Sequence, residues 1–106
     1  MIIYSQGKQQ NKNNMKEGNK MKTIDLLWKE RNCKAGNHKL EISNNGIKNL
    51  IYYWTTICKV NPSLKVFATD NGGYNTSSTN RAINAYSREL LWEGYKEVEF
   101  NSELLK

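Results

Sequence analysis

The sequence predicts an α+β domain: a small antiparallel sheet of about four or five strands with one amphipathic helix packed on one face. Three observations predict it. Lys39–Ser43, "KLEIS", alternates apolar and polar residues at period two. Ile47–Val60, "IKNLIYYWTTICKV", is a run of β-branched and aromatic residues. Ala82, Ile83, Tyr86 and Leu90 then fall at i, i+1, i+4 and i+8, a single helical stripe.

The elements follow in order. "TIDLLWKE", Thr23–Glu30, sets Ile24, Leu26 and Trp28 on one side at period two. Asp25 and Leu27 also allow a short helix, but the strand is favoured. "ERNCKAGN" reads as a loop around Gly36, and Lys39–Ser43 as a strand with Leu40 and Ile42 inward. Asn44-Asn45-Gly46 is a turn, since Asn and Gly adopt positive φ at little cost. Ile47–Val60 reads as one long strand. Leu50, Tyr52, Trp54, Thr56, Cys58 and Val60 share one face, and Ile51, Tyr53, Thr55 and Ile57 the other. A strand apolar on both faces is expected to be central. Asn61-Pro62-Ser63 turns the chain into a strand over Leu64–Thr69, with Leu64, Val66 and Ala68 on one face. Asp70-Asn71-Gly72-Gly73 ends that strand. The helix runs over about 78–92, with Ser77, Ser78 or Thr79 as its N-cap and Gly94 as its C′ residue. "YKEVEF", Tyr95–Phe100, alternates again and reads as a last strand.

The chain divides into a basic tract, residues 1–22, and one domain, residues 23–106. From Ser5 to Lys22 it is nearly devoid of apolar residues and periodicity, so the tract is expected to be disordered. Much of the net charge of +6 belongs to it: five lysines against Glu17, leaving eleven Lys/Arg against nine Asp/Glu for the domain. The domain is therefore near neutral, and overall charge alone is weak evidence for a nucleic-acid partner. Met21 begins "MKTIDLLWK", and the purine-rich codons available for Lys16–Lys20 could encode a ribosome-binding site. The expectation is that Met21 is the native start and that residues 1–20 are leader. The opening "MIIYSQGKQQ" lacks a charged n-region and a long apolar stretch, and no window reaches transmembrane length. A cytoplasmic protein with reduced Cys33 and Cys58 is expected.

Catalytic signals are sparse. His38 stands five residues after Cys33, but with Cys58 these do not make the four ligands of a structural zinc site, and no metal is expected. Glu89, Glu93, Glu97, Glu99 and Glu103 are spaced as a solvated acidic surface rather than as an acid/base pair. No phosphate-loop, dinucleotide or HExxH motif is present. The expectation is no catalytic activity and no cofactor. The Thr76–Thr79 hydroxyls suit helix capping, and a helix start beside Arg81 also suits an anion. In Tyr52-Tyr53-Trp54, neighbours on a regular strand point to opposite faces, so at least one ring is expected to reach solvent as a partner contact.

"YNTSSTNRAIN", Tyr74–Asn84, resembles the Tyr-Ser-x-Thr-Thr-x-Arg-His-Ile-Asn stretch of a family of short bacteriophage and plasmid proteins of unknown function. Tyr74, Thr79 or Ser78, Arg81, Ile83 and Asn84 match it. The start "MKTIDLL" and the Tyr52-Tyr53-Trp54-Thr55 strand are similar too, so the resemblance spans Met21 to about Phe100. Ala82 departs from the family's histidine and Trp54 from its asparagine. The resemblance implies a mobile-element setting in a bacterial host cell and no chemistry. The function expected is an accessory protein that binds a host or defence-system protein, an anti-CRISPR-type inhibitor acting on a Cas effector being the best guess. Its partner surface would be Arg81, Asn84 and Arg88 with the exposed member of Tyr52, Tyr53 and Trp54. The competing expectation is a small nucleic-acid-binding regulator using Lys48, Lys59, Arg81 and Arg88.

Overall fold

A computed structural model describes residues 22–106; the expectations for the basic tract (Lys22 apart) and for a start at Met21 lie outside the described residues. Six strands form one sheet in sequence order: β1 (Cys33–Ala35), β2 (His38–Ile42), β3 (Lys48–Tyr52), β4 (Thr55–Asn61), β5 (Val66–Thr69) and β6 (Lys96–Glu97). One helix, α1 (Ser77–Trp92), links β5 to β6. The α+β class holds. The first five strands pair antiparallel, but β6 joins β5 in parallel, so the sheet is mixed rather than purely antiparallel. The helix explains this, because a crossover returns the chain to the starting end of the sheet before it pairs again.

Several segments differ from expectation; of the last strand expected over Tyr95–Phe100, only Lys96–Glu97 forms. Thr23–Trp28 is a short 3-10 helix, not a strand. Leu26 and Leu27 are adjacent and both fully buried, which a strand's alternation does not allow against one core. Asp25 closes the turn by accepting a hydrogen bond from the Lys22 N–H at 3.2 Å. Trp28 Nε1 donates to Glu89 Oε2 at 3.2 Å and ties the turn to α1. Cys33–Ala35, placed in a loop, is instead the edge strand β1, joined to β2 by Gly36-Asn37 with Gly36 at φ +61°.

Ile47–Val60 is the largest difference. It is a hairpin, β3 and β4, that turns at Tyr53-Trp54. As one strand it would span about 46 Å at about 3.3 Å per residue, longer than the longest dimension of the fold, 41 Å. The two faces assigned to it therefore dissolve. The register also shifts between Leu50 and Ile51, leaving Ile57 as an extra residue in β4, so that Ile57 and Cys58 are both buried.

The main core lies between the sheet and α1. Leu40, Leu50, Val60 and Phe67 meet Tyr86 and Leu90 there, with Ala82 and Ile83 packed at its edge, as the helical stripe predicts. Val66 and Ala68 alternate to the other side of β5, where Leu105, Val98 and Phe100 cover them. Leu64, expected beside them, lies in the β4–β5 turn and is exposed. The helix ends as predicted: Gly94 takes φ +89°, its N–H reaches the Leu91 carbonyl, and the Tyr95 N–H reaches that of Leu90. Its start is one residue earlier than the three candidates, with Thr76 Oγ1 accepting from the Thr79 N–H at 3.2 Å.

Candidate functional site at the hairpin tip

The β3–β4 turn carries a residue in an uncommon conformation. Tyr53 has φ +58°, a left-handed backbone that bulky side chains rarely adopt. Its neighbours fix it there. The Tyr53 N–H donates to the Asn37 carbonyl at 2.9 Å, and Asn37 Nδ2 donates back to the Tyr53 hydroxyl at 2.9 Å. The β1–β2 turn thus clamps the β3–β4 turn. Strain of this kind costs about 1–3 kcal/mol and persists where the surroundings over-determine it, often at ligand-binding positions.

The clamp presents a row of rings. His38 lies 4.6 Å from Tyr52, Tyr52 4.6 Å from Tyr53, and Tyr53 5.8 Å from Trp54, centroid to centroid. The last pair is stacked, with 25° between planes. Tyr52 is half-buried, Tyr53 is 50% exposed and Trp54 is 91% exposed. The expectation of at least one solvent-facing ring is met by two, for a reason other than strand alternation: both belong to the turn.

On the helix side of the tip is a cleft of about 260 Å³. Tyr52, Tyr53, Trp54 and Tyr74 supply rings; Thr76 and Thr79 bring the start of α1 to its wall. On the other side, Tyr53 and Trp54 border a groove with Lys34 and Lys39. These two lysines sit directly opposite each other in the β1–β2 ladder.

His38, the single histidine, closes the inner end of the row. Its Nδ1 lies 2.9 Å from the Tyr86 hydroxyl, and burial holds the imidazole below its usual pKa. Burial is also the main cause of the raised pKa of the Tyr86 hydroxyl, and of the Cys58 thiol, which sits fully buried in the core. Cys33 lies on β1, where it pairs with Leu40, while His38 pairs with Ala35, and both cysteines are free. Among the described residues no cluster of three or more His, Cys, Asp or Glu is placed to hold a metal ion.

The other predicted residues separate. Arg81, Asn84 and Arg88 are exposed on the outer face of α1 and share a shallow depression with Ser77 and Asn80. Neither arginine makes a salt bridge among the described residues. Lys48 does not belong to any nucleic-acid surface: it is 4% exposed, donates to the Leu27 carbonyl at 2.8 Å and pairs with Glu30 at 3.8 Å. Lys59 is half-buried, with its ammonium 4.9 Å from the centre of the Phe100 ring. The set Lys48, Lys59, Arg81 and Arg88 is thus not one surface. The Tyr74–Asn84 stretch divides by burial: Thr79 is buried and Ile83 packs on the core, whereas Tyr74, Arg81 and Asn84 face out. Ala82 packs against the core.

Lys34, Lys39, Asn37 and Tyr74 were not among the predicted site residues. The Gly36-Asn37 pair between two short alternating segments was the available signal for the first three, since Gly-Asn is a two-residue hairpin connection. No protein-family model, curated protein or solved structure matches this chain.

Proposed function

We propose that this chain is a non-catalytic accessory protein of a phage or other mobile element, acting by binding a bacterial host or defence-system protein, with an anti-CRISPR-type inhibitor of a Cas effector as the particular reading. The observation that carries it is the outer face of α1. Arg81 and Arg88 stand two turns apart, exposed, with Asn84 between them and no carboxylate partner among the described residues. Arginine is enriched among the residues that dominate protein interfaces, because its planar fork pairs with carboxylates and carbonyls at low reorganisation cost. Such a face suits an acidic partner surface. The resemblance of Tyr74–Asn84 to short phage and plasmid proteins supplies the setting.

The test is co-elution of the full chain with a panel of purified Cas effector complexes on gel filtration. A stable complex with one of them is expected, weakened about tenfold or more by Arg81→Glu or Arg88→Glu, a loss of about 1.4 kcal/mol. No co-elution with any effector would reject the anti-CRISPR reading. A complex indifferent to both reversals would reject the helix face.

A further inference from the structure

We infer that the Tyr53-Trp54 tip is a binding site for single-stranded nucleic acid, with bases stacked on the exposed rings and phosphates held by Lys34 and Lys39. This goes beyond the protein-binding reading and does not depend on it. Two independent features point to this ligand. The first is the platform. Trp54, 91% exposed, stacks on Tyr53, whose left-handed backbone is clamped by two hydrogen bonds with Asn37, one donated by the Tyr53 N–H and one by Asn37 Nδ2. An open aromatic pair on a clamped turn offers a stacking surface, and every base has a flat face to lay on it. The adjoining cleft of about 260 Å³ is lined by Tyr52, Trp54 and Tyr74.

The second feature is charge. Lys34 and Lys39 are directly opposed across β1 and β2, an arrangement that costs stability in an isolated sheet. Lys39 reaches Glu41 at 3.6 Å, but that pair is half-exposed and weak, and Lys34 has no ion-pair partner among the described residues. An anion between the two ammonium groups would relieve the repulsion. The register places both lysines on the opposite face of the sheet from Leu40, and their groove is bordered by Tyr53 and Trp54. A strand crossing the tip would therefore meet rings and cations in succession, as a repeating base and phosphate requires. An apolar peptide would use the rings and leave the lysines unanswered.

The test is fluorescence anisotropy of labelled oligodeoxyuridylate and oligouridylate, each about ten nucleotides long, titrated with the full chain at about 50 mM and about 200 mM salt. Binding of one or both is expected, with the preferred one identifying the sugar. Trp54→Ala should weaken it about 5- to 150-fold, whereas Trp54→Phe keeps most of the affinity. Replacing Lys34 and Lys39 together by Gln should lower the slope of log affinity against log salt by about 1.4, the value for two phosphates on a single strand. Circular dichroism of each variant checks the fold. No binding of either oligonucleotide at the lower salt overturns the inference. So does equal affinity for a duplex of the same length, or an affinity that Trp54→Ala leaves unchanged. Arg81→Glu lies outside this site, so its effect on effector binding and the effect of Trp54→Ala on oligonucleotides fail or succeed separately.

Discussion

Gly72 supports the cleft wall through a contact that no other residue could make. It has φ +62°, and a Cβ there would lie 2.3 Å from Thr55 Cγ2. The loop after β5 is drawn this close by its own side chains: Asp70 Oδ2 accepts from the Gly72 N–H at 2.9 Å and Asn71 Oδ1 from the Gly73 N–H at 2.8 Å. Gly72→Ala is expected to destabilise the fold by about 1–3 kcal/mol, from strain and overpacking together. Adding Thr55→Ser, which removes Cγ2, should recover part of the loss and leave the backbone cost; urea denaturation of both variants beside the native sequence checks it. If the double variant is no more stable than Gly72→Ala, the contact is not the cause. In the sequence, Gly72-Gly73 announced a turn but not its neighbour, since Thr55 is seventeen positions away. Tyr53 was illegible for the opposite reason. Turn prediction relies on Gly, Asn, Asp and Pro, and a tyrosine at positive φ is sustained only by Asn37, a contact between two hairpins.

At the level of elements, α1 was the most legible part of the chain, because its apolar stripe, its capping hydroxyls and Gly94 all agree. Only the identity of the cap was off by one. Thr76 has the extended backbone of an N-cap, φ −107° and ψ 160°, and its hydroxyl serves the Thr79 amide. Thr76→Ala is therefore expected to cost about 1 kcal/mol, while Ser77→Ala and Ser78→Ala should stay within about 0.5 kcal/mol. Thermal denaturation of the three single variants separates these outcomes, and equal losses at Ser77 would move the cap. The hairpin β3–β4 was legible in type and not in number. β-branched and aromatic residues marked Ile47–Val60 as strand throughout, and nothing polar interrupted them at the turn. Chain length against the size of the domain was the clue that a single strand could not fit.

For the whole molecule, the row from Tyr86 through His38 and Tyr52 to the tip ties the core to the site. Because burial lowers the pKa of His38 in the fold, the unfolded chain takes up a proton first as pH falls. The stability owed to neutral His38 is complete above about pH 6.5, the unfolded value. It is lost as pH drops from there through the lower folded value. The urea midpoint should thus fall between pH 8 and pH 5.5 in the native sequence, and His38→Asn should flatten that slope; an unchanged slope would assign the effect to other groups. That α1 and β5 would meet a parallel β6 was the least legible feature, because Lys96 and Glu97 are both exposed and their pairing is set by the crossover rather than by any pattern of their own. The same sheet has margins of only three residues at β1 and two at β6. A neighbouring copy finds almost no row of free backbone donors and acceptors to zip onto along either rim. A surface that leaves Trp54 and Trp92 open can then be carried without inviting fibril-like stacking, and crowding of these molecules should proceed through side-chain contacts that dilution reverses.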